Sequence, residues 1–321
     1  MQVVGQKIVV LGTGGTLAGT AASASDNVGY AAAQVGIGEL LARIPGLRKV
    51  DIEVEQVAQV DSKDMSFAVW RDLARRCAHA LARDDVTGVV VTHGTDTIEE
   101  TAYFLQAVLA PSKPVVLTCA MRPSTSLQAD GPQNIVDAVR VASSPGAQGV
   151  VVVCAGVIHD ARAVAKVHHY RLDPFASGDA GPIGYVEAGA LRRVGEWPGP
   201  GLGASASRID MLDASEWPRV EIVMNYAGAD GALVRALVAN GVDGIVVAGT
   251  GNGTIHHALS AALRDAAAAG VKVARTSRTA FGGVIAVDAE EFAATSLSPV
   301  KARVALLLEL LSSKVPQAPA R

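Results

Sequence analysis

Two β-branched runs, Lys7 to Leu11 (KIVVL) and Gly88 to Val91 (GVVV), each lead at once into a turn rich in threonine and glycine. These turns are TGGTLAG from Thr13 to Gly19 and THGTDT from Thr92 to Thr97. Such runs have no polar alternation, so they read as buried strands, which a parallel sheet covered by helices accommodates. Further strands are expected at Ile52 to Val57, Val115 to Thr118 and Val150 to Cys154. Between them Phe67, Trp70, Leu73, Ala74, Cys77 and Leu81 recur at helical spacing, and Ile135 to Val141 reads as a second helix. This alternation is that of an α/β fold, with a parallel sheet in the first two thirds of the chain.

Glycine, proline and serine dominate from Gly195 to Pro218 and read as a linker. The expected organisation is therefore a larger N-terminal parallel-sheet domain (1–197), a linker (198–218) and a smaller C-terminal α/β domain (219–321). In the second domain strands are expected at Val220 to Met224, Gly244 to Ala248 and Val271 to Ala274. Its helices are expected around Ala232 to Ala239 and Ile255 to Ala268, with a last one from Pro299 to about Leu311, capped by Ser298.

The two turns carry the chemistry. Threonine hydroxyls at the carboxyl ends of strands, with glycine around them, are placed to act on a small ligand. Gly12, Gly14 and Gly15 suggest a dinucleotide loop, but the third glycine is misplaced and no acidic residue follows at the usual distance. Thr97 with Glu100 three residues on reads as a capping box, opening a helix through Ile98, Ala102, Leu105 and Leu109. Thr95 and Asp96 thus precede a helix start, where backbone amides and the dipole favour an anion and Asp96 can hold an ammonium group.

At these residues the chain resembles the bacterial-type asparaginase and glutaminase-asparaginase amidohydrolases. The likeness extends through VDSKDM (Val60 to Met65), AMRPSTSLQADGPQN (Ala120 to Asn134) and GTGNGT (Gly249 to Thr254), and spans the chain from about Ile8 to about Val304. The resemblance implies hydrolysis of L-asparagine to aspartate and ammonia, with Thr16 as nucleophile and without metal or organic cofactor. It implies that Tyr30, on a loop after the first strand, orients or activates Thr16. Thr95, Asp96 and Lys166 become the second threonine with its supporting aspartate and lysine, the lysine acting in a proton relay through Thr95. The residues alone would place Lys166 on a solvated basic surface. Ser62 and Asp96 match substrate-binding positions, and Thr254 and Glu290 match positions that a neighbouring subunit contributes in a homotetramer with intersubunit sites.

Lys63 departs from the glutamine or glutamate usual after this serine. Its cation is expected to pair with the substrate carboxylate or with Glu290, and its length to disfavour glutamine relative to asparagine. Other readings are glutamine or a D-amino-acid amide as substrate, or a regulator that binds an amino acid without turning it over. A net charge of −3 carries no nucleic-acid footprint, and no apolar stretch is long enough to span a bilayer. Cys77, Cys119 and Cys154 sit in apolar runs and read as buried thiols, and the histidines lack metal-site spacing. The first residues, MQVVGQKIVVLG, show no export signal, so the cytoplasm is expected.

Overall fold

The fold was determined as a computed structural model that describes residues 6–199, 206–285 and 291–314. It divides into two units, Met1–Ile209 and Asp210–Arg321.

The first unit is built on an eight-stranded sheet ordered β10-β9-β6-β5-β4-β3-β1-β2. The strands β1 (Lys7–Gly14), β2 (Asp51–Val60), β3 (Val86–Thr92), β4 (Val115–Thr118) and β5 (Val150–Cys154) run parallel. The strands β6 (Val157–Asp160), β9 (Gly184–Glu187) and β10 (Ala190–Arg193) extend one edge in antiparallel fashion. A separate ribbon pairs β7 (Ala165–Lys166) with β8 (Phe175–Ala176). The inner parallel strands β1, β3, β4 and β5 are buried apolar runs because both faces are covered, whereas β2, at the sheet edge, is charged and largely exposed. Helices α1 (Ile37–Ala42) and α4 (Gly131–Ala142) build the core on one side, where Ile8, Val10, Val90, Val116 and Val151 meet Leu40, Ile135 and Ala138. Helices α2 (Phe67–Leu81) and α3 (Ile98–Leu109) pack on one another and on the sheet. In α2, Trp70, Leu73, Ala74 and Cys77 form the buried stripe that the spacing predicts.

The strand order has a direct consequence for function. β1 pairs with β2 on one side and β3 on the other, so the connections leaving β1 and β2 diverge from each other. Ligands in open α/β sheets bind in the crevice outside the carboxyl ends of strands at such a switch point. Thr16, Ser62 and Thr95 all lie in the turns that follow these three strands.

The second unit is a four-stranded parallel sheet, β11-β12-β13-β14, from Val220–Met224, Gly244–Gly249, Lys272–Ser277 and Ala293–Ala294. A short helix, α5 (Ala206–Asp210), and a 3₁₀ turn at Met211–Asp213 form inside the stretch read as a linker. Leu212 is fully buried there, which a glycine- and proline-rich composition does not foretell. Helices α6 (Ala232–Ala239), α7 (His257–Ala268) and α8 (Pro299–Lys314) complete the unit. Ser298 does not cap α8 with its side chain: its hydroxyl is buried without a hydrogen-bond partner, and its carbonyl accepts from Ala302 N. Among the described residues no helix is long and apolar enough to cross a membrane.

Candidate active site

Three turns meet by backbone contact. Gly15 has φ +80°, and a Cβ built on it would lie 2.5 Å from Cα and N of Gly94. A Cβ on Gly94 would lie 2.4 Å from Ser62 Oγ. Only glycine permits such approaches. Thr16 and Thr95, one residue beyond each glycine, therefore leave two backbones that touch.

The first turn is held firmly. Gly15 N donates to Val60 O (2.9 Å), and Ser124 donates to Gly19 O through both its amide (2.9 Å) and its hydroxyl (2.7 Å). The segment beyond it returns through a reciprocal bridge between Thr20 and Ala31. That bridge brings Tyr30 back over Gly19, and Tyr30 Oη lies 2.6 Å from Thr16 Oγ1. Thr16 is 7% exposed, so its hydroxyl is largely removed from bulk water.

On the other side Lys166 Nζ donates to Thr95 Oγ1 (2.8 Å) and to Asp96 Oδ1 (2.5 Å). Lys166 sits in β7, and its amide donates to Glu99 Oε1 at 3.2 Å, which fixes the strand against α3. Its side chain is only 17% exposed, not the solvated surface that the surrounding polar sequence suggests. Ser62 Oγ accepts from Asp96 N (3.2 Å), so its own hydroxyl hydrogen is left for a ligand. The expected capping box at α3 is not formed. Thr97 makes no side-chain cap but donates through Oγ1 to Ser62 O at 2.7 Å, tying the second turn to the third.

Lys63 does not reach a distant partner among the described residues. Its ammonium group pairs with Asp61 (3.2 Å) and Asp64 (2.6 Å), and these carboxylates raise its pKa. Thr254 belongs to the second unit, where its Oγ1 lies 2.9 Å from Thr250 Oγ1 and donates to Thr250 O at 2.9 Å. Glu290 lies outside the described residues.

Two supports escaped the sequence reading. Asp130, just before α4, accepts from Met121 N and Arg122 N, both at 2.9 Å, and from Asn134 Nδ2 at 3.2 Å. Asn134 in turn holds Cys119 O and Ala155 N, so the Asp-Gly-Pro-Gln-Asn string braces the ends of β4 and β5. The only local signal was a carboxylate before a proline-initiated helix, which reads equally well as an ordinary cap.

The other support is buried behind the third turn. Trp70 Nε1 donates to Thr101 Oγ1 (2.9 Å), which lies 2.9 Å from His93 Nε2, while His93 Nδ1 lies 2.7 Å from Gly94 O. Gly94 O can only accept, so Nδ1 carries the hydrogen of the neutral ring, and Thr101, accepting from Trp70, gives its own hydrogen to the bare Nε2. His93 is wholly buried, and burial pushes its pKa down to about 4 against the opposing bond to Gly94. The unfolded chain therefore binds a proton that the folded chain refuses between about pH 6.5 and pH 4. Stability from His93 is complete above 6.5 and lost as pH falls toward 4, a change of about 3 kcal/mol. Urea midpoints from pH 7 to pH 4 are expected to fall more steeply in the parent than in His93→Gln; parallel curves would refute this.

The three cysteines are free and buried, and burial pushes the Cys77 thiol up to about 12. By that measure Cys77 is inert toward alkylation.

Residues 7–196 match the family model described as asparaginase, N-terminal, and residues 219–319 match the glutaminase/asparaginase C-terminal domain. The chain is 39% identical over 319 residues to L-asparaginase 2 of Escherichia coli K12, covering 97% of this chain and 90% of that protein. It is 35% identical over 325 residues to the glutaminase-asparaginase of Pseudomonas fluorescens biotype A, covering 96% and 87%. Among solved structures, the probable cytoplasmic L-asparaginase of Campylobacter jejuni superposes with a TM-score of 0.88 at 38% identity, covering 97% of this chain and 96% of that one.

Proposed function

The chain belongs to the asparaginase family, and on that premise we propose how it hydrolyses the side-chain carboxamide of L-asparagine to L-aspartate and ammonia. Thr16 Oγ1 attacks the carboxamide carbon while its proton leaves toward Tyr30 Oη. The C–O bond forms, the C–N bond breaks, and the departing nitrogen takes the phenolic proton that Tyr30 gives up in exchange for that of Thr16, leaving as ammonia. Water then attacks the acyl ester, regenerating the Thr16 hydroxyl and releasing the new carboxylate. Thr95, Lys166 and Asp96 move protons for these steps along their contacts of 2.8 and 2.5 Å. The observation that carries this reading is that pair of lysine bonds beside a turn in backbone contact with the turn of Thr16. A purely binding protein needs donors and acceptors for an amino acid, but no hydroxyl–lysine–carboxylate chain.

Recognition follows from charge. The free oxygen of Asp96 accepts the substrate α-ammonium group, and the Ser62 hydroxyl donates to the α-carboxylate. Thr254 and Glu290 of a neighbouring subunit complete the site in a homotetramer assembled as a dimer of dimers. The cytoplasm is the compartment we assign, consistent with three buried free thiols.

Lys63 sets the preference among amides. Held by Asp61 and Asp64 beside Ser62, it narrows the room for one more methylene, and one methylene is worth about 10- to 200-fold in discrimination. The test is ammonia release from L-asparagine, L-glutamine and D-asparagine. The kcat/KM for L-asparagine is expected to exceed that for L-glutamine at least about tenfold, and Lys63→Gln to narrow the gap. Equal values for the two amides would contradict the role of Lys63. No ammonia from any of them would contradict the activity itself.

A further inference from the structure

A cavity of about 130 Å³ lies beneath the turn of Thr16, with Leu17, Leu40, Ile44 and Ile135 as its apolar wall and Arg43, Arg122 and Ser124 as its polar lining. Leu17 adjoins Thr16 in sequence, and Ser124 is the residue that clamps Gly19 O. The cavity therefore shares two of its walls with the support of the nucleophile turn, although none of the site residues described above lines it.

Arg122 makes this space more than a packing defect. It is 5% exposed, and among the described residues no carboxylate lies within ion-pairing distance of it. Its Nη1 donates to Tyr170 O (2.9 Å) and Met121 O (3.3 Å), and its guanidinium carbon lies 4.1 Å from the centroid of the Tyr170 ring. Its Nε is buried with no protein partner. A buried guanidinium with an unmade donor, beside a largely apolar chamber whose other cation, Arg43, is already paired with Glu39, is a poor use of a cation unless an anion completes it. The chamber is close in size to one of about 150 Å³ known to enclose benzene, so its occupant has about six or seven non-hydrogen atoms.

We propose that this cavity is a regulatory subsite for a small monocarboxylate with a compact branched or cyclic hydrocarbon body. The carboxylate completes Arg122 and accepts from Nε, while the hydrocarbon fills the space against Leu17, Leu40 and Ile135. Occupancy stiffens the Thr16 turn from behind and so changes turnover. The binding half stands alone, and the regulatory half rests on the reading of Thr16 as nucleophile.

Isovalerate is a suitable probe, and isovaleramide is its uncharged isostere. Calorimetric titration of the whole protein, with saturating L-aspartate to occupy the catalytic site, is expected to give isovalerate a Kd on the order of 1 mM. Isovaleramide is expected to bind at least about tenfold more weakly, since a charge-assisted bond is lost. Arg122→Gln should weaken isovalerate by a similar factor. Leu40→Phe, which fills the chamber without touching a charge, should do the same and keeps the test decisive if Arg122→Gln fails to fold. In steady-state assays isovalerate should change kcat for asparagine at least twofold with KM unaltered.

No heat at about 20 mM isovalerate, far above the affinity expected for so small a ligand, would overturn the proposal. So would equal affinity in Leu40→Phe and the parent. Binding without any change in kcat would overturn the regulatory half. A protein that releases ammonia from no amide would count against the asparaginase mechanism and leave the calorimetric outcome to be judged by itself.

Discussion

Thr16→Ala is expected to lower kcat for asparagine by about 10⁴-fold or more, because the atom that bonds to the substrate carbon is removed and no neighbour can replace it. Tyr30 Oη, 2.6 Å from Thr16 Oγ1, is held by the Thr20–Ala31 bridge and stays where it is without the hydroxyl. The change deletes few atoms from a turn fixed through its backbone by Val60 and Ser124, so folding is expected to survive. Ammonia release measures the loss, and calorimetric binding of L-aspartate, expected to stay within about tenfold of the parent, shows that the pocket is intact. Turnover within tenfold of the parent would remove Thr16 from the chemistry.

Lys166→Met is expected to lower kcat by about 10²- to 10⁴-fold, the usual worth of a positioned proton-transfer group. Methionine keeps much of the length and apolar stem of lysine but neither donates nor carries a proton. Its loss leaves Asp96 with only the long bond from Thr95 Oγ1 (3.5 Å), yet Asp96 is 54% exposed and water solvates it, so the fold should not suffer in proportion. That asymmetry separates chemistry from stability: kcat should fall far more than the urea midpoint moves. One limb of the pH profile of kcat/KM should change shape as well. If turnover and profile both remain those of the parent, the relay is wrong.

The sequence made the sheet legible where burial on both faces left no ambiguity. Val115–Thr118 and Val150–Cys154 are strands over the residues expected, and α2 occupies Phe67–Leu81 as its stripe of Trp70, Leu73 and Cys77 requires. The antiparallel edge was not legible. Val157–Asp160 and Ala190–Arg193 are four residues each and mix charge with apolar side chains, so neither carries a usable period. Lys166 lies in a two-residue strand inside a polar stretch, and only its resemblance to a family position singled it out.

Competition between bonds explains the failed cap. Thr97 has the local pattern of an N-cap opening its own helix, but its hydroxyl serves a longer contact to Ser62 O that no local window contains. Asp130 behaves likewise, reaching Met121 and Arg122 across the turn instead of capping α4. In both, a side chain whose local chemistry is familiar is diverted to join distant parts of the chain. The histidine chain behind Gly94 was missed for a similar reason: His93, Thr101 and Trp70 become neighbours only when α2 and α3 pack together.

The seam where Gly15 presses on Gly94 has a bearing on how such a protein can diversify. Two turns without clearance between them cannot drift apart separately: a methyl group on Gly15 would wedge the seam open, and one on Gly94 would strike Ser62 on the neighbouring turn. New substrate ranges must then be sought at the margins, in the loop of Lys63 or the flap bearing Tyr30, where a side chain can be exchanged while the keel of the pocket stays put.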